Sequence, residues 1–429
     1  MTSDFEYFVN RLDLHDVEVD KLGSKTLVLI QDQKWKDMRA TLTPIYTSSK
    51  LKYMFGLLTE CTDNFISIYE KKAKENGSKV EIETHDTFGR INADGIATTA
   101  LGFKGDCVEN KDSEMYKIAK DLDEDFSNPL NFTLCIIFPK IYEWFRMQVF
   151  RKSVQDFFFV NVSKEIKRRR EGKIIRPDVI QLLLQVKDGE LELEDGDVED
   201  FSTTEFKAKK ITNWSDEDLA AQAFVLFGGF DTTTTLMQAI SFEFAHNPEV
   251  QQVLINEVDA MLDELQGNTI SYEQVNGMKY LDMVLHEAMR KWPPIVSLGR
   301  HCKKDYELVD DETGESYIIK KDSLAMIPLT TIQMDPKYFP DPEKFDPTRF
   351  SDENRSKIQS GSYLPFGIGP RMCIGKRYAL VGLKLLLFSI ISKFKIEKCN
   401  KTPEKLTHKR GTSGYEEEVH VILILRKVN

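Results

Sequence analysis

The chain reads as a mainly α-helical protein with a minor sheet, and three observations predict it. Apolar residues recur every three or four positions through most of the length, which is the helical period. Alternating, strand-like runs are short and gather toward the C-terminus. Residues 219–244 are apolar around nearly the whole circumference, the mark of a helix buried on all sides.

The helical period runs from about Gln33 to Glu75 and returns at 112–124, 139–168, 216–246, 248–265 and 280–291. Glu81–Glu83 is a marginal strand. Between Phe132 and Phe159 lie Phe138, Tyr142, Trp144, Phe145, Phe150, Phe157 and Phe158, more aromatic surface than a packed helix pair needs, although core packing alone also accounts for it. In 188–200 eight of thirteen residues are acidic, which predicts a solvated loop because like charges repel and rarely pack. Tyr306–Val309, Tyr317–Lys320, Leu324–Pro328 and His420–Leu425 alternate between turns and are read as strands. A Gly/Pro-rich loop, 366–375, runs straight into an apolar helix at 376–393.

The buried helix contains Gly228-Gly-Phe-Asp-Thr-Thr-Thr-Thr235 at its middle. Glycine and β-branched threonine are poor helix formers, and a buried Asp231 is costly unless satisfied. Such a helix lines something. Cys373 stands at the start of the 376–393 helix, two residues after Arg371, where the helix dipole and a neighbouring cation favour thiolate over thiol. That setting suits a metal ligand or a nucleophile; an inert cysteine in a turn has the same appearance. The phosphate-loop readings fail, because Met372 replaces the third glycine of the dinucleotide pattern and Gly369 and Gly375 are one residue too far apart for GxxxxGK[ST]. Glu287 and Arg290, at i and i+3 before Trp292-Pro-Pro, have the spacing of an ion pair that recurs at Glu143/Arg146 and Glu165/Arg168.

Composition narrows the function. With 429 residues, 41% hydrophobic and 30% charged, the chain can build a large core, and length alone predicts two or three domains. A net charge of −11 argues against broad nucleic-acid binding. Six scattered cysteines suit a reduced, cytosol-facing protein rather than a disulfide framework. The N-terminus lacks the look of a signal or transit peptide, and the longest apolar runs fall short of the roughly 20 residues of a membrane span.

The order of the motifs decides the reading. It runs Trp35-Lys-Asp-Met-Arg39, Gly228-Gly-Phe-Asp-Thr-Thr233, Glu287-Ala-Met-Arg290, Pro347-Thr-Arg-Phe350 and Phe366-x-x-Gly-x-Arg-x-Cys-x-Gly375. From Trp35 onward the chain resembles the cytochrome P-450 superfamily of haem-thiolate monooxygenases, with a texture closest to the microsomal insect families of the xenobiotic-metabolising clan. The resemblance implies a helical prism with a small β-rich lobe, in which haem b lies between the buried central helix and the cysteine-loop helix. It implies Cys373 as the axial thiolate to iron. Phe366 would shield the proximal side, Gly369 would permit the turn and Gly375 the approach of the helix to the porphyrin. Trp35, Arg39, Arg300 and Arg371 match the propionate partners. Asp231 and Thr232 match the acid-alcohol pair that relays protons toward the oxygen site, and Gly228, where many members have Ala, opens space there. Glu287, Arg290 and Arg349 match a buried structural charge triad.

The implied activity is a monooxygenase of the unspecific type, acting on paired donors and inserting one oxygen atom into a lipophilic small molecule, a xenobiotic or a hormone. NADPH-cytochrome reductase would supply electrons, with cytochrome b5 as a further partner. Lys34, Lys36, Lys376 and Lys384 would steer the reductase. The implied location is the cytosolic face of the endoplasmic reticulum membrane, the microsomal membrane. A haem-thiolate isomerase or dehydratase, or a truncated, non-catalytic haem-binding chain, are the rival readings. On this resemblance 1–429 is one catalytic unit, with 34 residues before Trp35 where microsomal relatives carry an anchor, a first helix and first sheet strands; a truncated chain is expected.

Overall fold

The computed structural model describes residues 4–11, 20–126, 128, 144–190, 211, 214–310, 312–409 and 414–427. The expected helical residues 139–143, the acidic stretch from 191 to 200, and Phe132, Phe138 and Tyr142 lie outside the described residues.

The chain opens with α1 (Asp32–Leu42), the long α2 (Ser48–Glu75), strand β1 (Lys79–Glu83), α3 (Thr84–Ile96) and α4 (Glu114–Phe126). Then follow α5 (Lys152–Gly172), α6 (Val179–Lys187), α7 (Asp216–Val225), α8 (Phe230–His246), α9 (Pro248–Leu265), α10 (Tyr272–Gly277) and α11 (Lys279–Lys291). Strands β2 (Ser297–His301), β3 (Tyr306–Val309), β4 (Ser316–Ile319) and β5 (Leu324–Pro328) precede α12 (Lys376–Lys393), β6 (Phe394–Lys398) and β7 (His420–Leu425). The sheets are small and antiparallel: β1-β7-β6, β2-β5 and β3-β4.

Residues 216–246, expected as one helix, are two. A capping box between Ser215 and Asp218 starts α7, and the run then tightens into a 3-10 turn at Leu226–Gly229 before α8 begins. Two consecutive glycines have too little helix propensity to hold the α-ladder there.

Buried side chains form two clusters. One joins α2, α3, α9, α11, α12, β6 and β7 with Leu236–Phe244 of α8; the other joins α1, α4, α5, α6 and α7 with Phe230 of α8 and with Ile374. Asp231–Thr235 and the Cys373–Ile374 step therefore lie where the two cores meet, while α8 packs on α3 and touches α12. A buried ion pair braces the second cluster: Arg169 donates to Asp178 at 2.7 and 2.6 Å and to Glu165 at 2.8 Å. A Cβ on Gly102 would come within 2.2 Å of Arg169 Nη2, and its φ of +78° also requires glycine.

Candidate active site

The loop before α12 is wound by its own backbone. Cys373 N–H donates to the Phe366 carbonyl at 2.9 Å and Met372 N–H to that of Gly369 at 2.9 Å. Gly367 and Gly369 take φ of +76° and +71°, where a side chain would be strained. The Gly375 N–H, at the N-cap of α12, donates to the Cys373 sulfur, and a Cβ on Gly375 would sit 4.0 Å from that sulfur. Cys373 is solvent-accessible, yet burial is the largest influence on its thiol. The sulfur therefore faces an interior hollow rather than the outer surface. Burial pushes the thiol up, outweighing the Gly375 N–H and the cations Arg39, Arg11 and Lys376. The expectation that helix and cation alone favour the thiolate is thus corrected: desolvation wins unless a further positive centre binds the sulfur.

Around this loop gather four guanidinium groups. Arg371 stacks 4.0 Å from the centroid of the buried Trp35 ring, and donates through Nε to Val9 O at 2.9 Å and through Nη2 to Ile30 O at 3.0 Å. Its Nη1 is buried with no hydrogen-bond partner among the described residues. Arg39 Nη1 donates to Met372 O at 2.9 Å, and Arg300, on β2, donates to Gly299 O at 2.8 Å. Arg11 was not foreseen; its Nη2 donates to the Arg371 carbonyl at 3.0 Å. No local motif announces it, since its partner lies at the other end of the chain. Burial and then the neighbouring Arg11, Arg300 and Arg39 push Arg371 down to about 8, and burial brings Arg39 and Arg300 to about 10. Guanidinium keeps its proton in proteins, so four like charges gathered round one loop, three of them buried, favour an anion among them.

In the 3-10 turn that leads into α8, a Cβ built on Gly228 or Gly229 would meet nothing within 4 Å, so the backbone there borders open space. The four threonine hydroxyls differ. Thr233 donates to Gly229 O at 2.7 Å, Thr234 to Phe230 O at 2.8 Å and Thr235 to Asp231 Oδ1 at 3.1 Å. Among the described residues Thr232 reaches only Gly229 O, at 3.3 Å. Asp231 Oδ1 also lies 3.9 Å from His85 Nε2 of α3.

Away from this space, the structure brings Glu287, Arg290 and Arg349 together. Arg290 donates to both Glu287 oxygens at 2.7 and 2.8 Å, Arg349 Nε lies 3.5 Å from Glu287 Oε1, and Asp346 N–H donates to the same oxygen at 2.9 Å. Phe366 is half-buried against the first core. Lys34 is exposed and Lys36 and Lys376 are half-buried, but Lys384 is buried, 2.8 Å from Asp282 and 3.2 Å from Asn276 O. Lys384 is therefore removed from the set that could face a reductase.

The family model described as Cytochrome P450 matches residues 1–419. The chain belongs to the cytochrome P450 family. It is 37% identical over 415 residues to Cytochrome P450 9e2 of Blattella germanica, covering 93% of this chain and 76% of that protein. Probable cytochrome P450 9h1 of Drosophila melanogaster is 34% identical over 407 residues, covering 94% and 77%, and Cytochrome P450 3A31 of Mesocricetus auratus is 35% identical over 413 residues, covering 94% and 76%. Cytochrome P450 proteins bind haem b through a cysteine thiolate, and the chain is a haem-dependent monooxygenase. The residues fit that cofactor: one accessible thiol aimed into a hollow, the side-chain-free Gly228-Gly229 turn before α8, and a cluster of guanidinium groups, with Arg371 Nη1 buried and unpartnered among the described residues, suited to the two carboxylates of haem b.

Proposed function

We propose that Cys373 is the thiolate that holds the haem iron and that Arg11, Arg39, Arg300 and Arg371 pair with the haem carboxylates. The observation that carries this reading is the Arg371 side chain, stacked on Trp35 and buried with Nη1 unpartnered among the described residues, two positions from the accessible sulfur. Haem held there supplies activation of O₂ and transfer of one oxygen atom to substrate.

The chain's own residues bind, orient and supply protons. The Gly375 N–H holds charge on sulfur, and Gly228-Gly229 leave room for oxygen and substrate. At 3.3 Å the Thr232 hydroxyl is beyond the usual O–H···O range, so it is available to donate elsewhere, whereas Thr233 and Thr234 are committed to their own helix. Asp231 stands beside it as the acid that restores its proton. The Glu287–Arg290–Arg349 network fixes the fold beneath the cysteine loop.

Electrons come from NADPH through a separate reductase, whose acidic face meets Lys34, Lys36 and Lys376; cytochrome b5 uses the same face. Trp144 and Phe145 are 80% and 65% exposed with ring centroids 5.0 Å apart, an aromatic display that supports contact with the endoplasmic reticulum surface. No helix among the described residues is long and apolar enough to cross a membrane. The substrate is lipophilic and the activity is of the unspecific, paired-donor type. In a reconstituted system with reductase, NADPH and isotopically labelled O₂, a lipophilic probe acquires one labelled oxygen atom; a product without label contradicts the reading.

A further inference from the structure

His85, Asp123 and Asp231 come from α3, α4 and α8, far apart in sequence, and place one nitrogen or oxygen atom each within 4.8 Å of one another. They lie outside the cysteine loop and its guanidinium cluster. The His85 side chain is 33% exposed and that of Asp231 14%, so the cluster runs from the edge of the protein inward. Thr235 orients Asp231 by donating to Oδ1 at 3.1 Å, and the backbone N–H of His85 is anchored to the Glu83 carboxylate at 2.7 Å. With 3.9 Å between His85 Nε2 and Asp231 Oδ1 and all three groups within 4.8 Å of one another, a small rotation brings each neighbouring pair into hydrogen-bond reach.

We propose that His85 and Asp123 are positioning residues that recharge Asp231 with protons from solvent, forming the outer section of a path that ends at Thr232. This rests on the reading of Asp231 and Thr232 given above. The protons balance at each step. The one proton shared by the carboxyl pair passes from Asp123 to Asp231 and on inward; the His85 imidazolium then refills the emptied pair at Asp123, and the neutral imidazole takes a proton from bulk water.

The charges around the cluster favour this storage. Burial opposes the cation on His85, but Asp231, then Asp123 and Glu83, raise its affinity for the proton above the ordinary value. Burial and then Asp231 push Asp123 up to about 7, against the pull of His85 and of Lys409 from the C-terminal loop. Tyr415, from the same loop, also faces Asp231. Two carboxyls that close share one proton near neutrality and titrate together.

The test uses haem-loaded protein labelled with carbon-13 at the histidine Cε1 positions, of which there are seven, with His85→Gln assigning the His85 signal. The expected His85 titration has two steps, its own above 6.5 and an inflection from the shared carboxyl proton. Asp123→Asn leaves one step, and Asp231→Asn lowers the His85 midpoint by about one pH unit. A single step near the ordinary value in all of these proteins overturns the proposal. The reductase-supported reaction gives a second readout. In the wild type, the share of NADPH converted to product falls as pH rises through about 7, because the Asp123 store empties. Asp123→Asn lowers that share at every pH and abolishes the limb, while His85→Gln moves it upward, since loss of the cation raises the carboxyl. An unchanged limb in Asp123→Asn also overturns the proposal. Thr232→Ala reports separately on the underlying reading: unchanged peroxide release there refutes Thr232, whereas the histidine titration reports on the cluster alone.

Discussion

Thr232 differs from the three threonines that follow it in how its hydroxyl is held, and this difference gives its proposed role a physical basis. Removing a weakly engaged hydroxyl costs the fold little, because the 3.3 Å contact to Gly229 O stabilises little. Thr232→Ala is therefore expected to keep its melting temperature while product formation falls by about 10²-fold and peroxide release rises at continued NADPH consumption; a loss of stability with unchanged coupling would assign Thr232 to packing instead. Arg371 makes the opposite kind of case. Its charge sits among Arg11, Arg300 and Arg39, each of which opposes it. Arg371→Met should raise the stability of haem-free protein by about 1–3 kcal/mol, as relief of a buried charge that Asp32 offsets only in part, and speed haem transfer to an acceptor protein. Thermal melting of the haem-free form and the transfer rate check both halves. A lower melting temperature with unchanged transfer contradicts the assignment.

At the scale of elements, α11 and α12 are joined by a charge contact with a definite pH signature. Burial would raise the Asp282 carboxyl, but His286 and Lys384 outweigh it and hold it well below its ordinary 3.8. A depressed carboxyl contributes stability that is complete above the unfolded value and is lost as pH falls below it. Lys384→Met should thus lower the melting temperature near neutral pH more than at about pH 3, and an equal change at both would contradict the coupling. The same buried lysine shows why the sequence was readable in parts. The α12 boundaries, the strands at 306–309, 324–328 and 420–425, and the cysteine loop carry local signals, and the structure has them at those places. The helix α3 was missed because Thr84–Ile96 contains Thr, Asp, Asn and Gly in place of helix formers, and is held by the Glu83 cap and by packing on α2 and α8. Strand β2 contains a glycine and is defined by its pairing with β5, and β6 follows α12 with no turn residue between them. Contacts such as Arg11 with Arg371, or His85 with Asp123 and Asp231, depend on tertiary placement that no spacing in the chain encodes.

For the whole molecule, the informative feature is that two apolar cores meet along α8 and the cysteine loop. Residues 228–235 and the cysteine loop lie at the seam between the two clusters, where a flat cofactor can be held from both sides. The basic residues on α1 and at the start of α12 give this arrangement an outward face. Lys34→Glu combined with Lys376→Glu should slow reductase-dependent reduction by about tenfold at low salt, with the difference shrinking as salt rises. Lys384, buried against Asp282, should have no such salt-dependent effect. Stopped-flow reduction across a salt series separates the two, and equal salt dependence for both would contradict the docking face. Whether Cys373 holds the haem iron as a thiolate is read from the absorption spectrum of the reduced, carbon monoxide-bound protein. Thiolate ligation by Cys373 gives a strongly red-shifted Soret band in the wild type that is lost in Cys373→Ala. A haem-replete wild type without that band, or a Cys373→Ala variant that keeps it, would contradict that ligation.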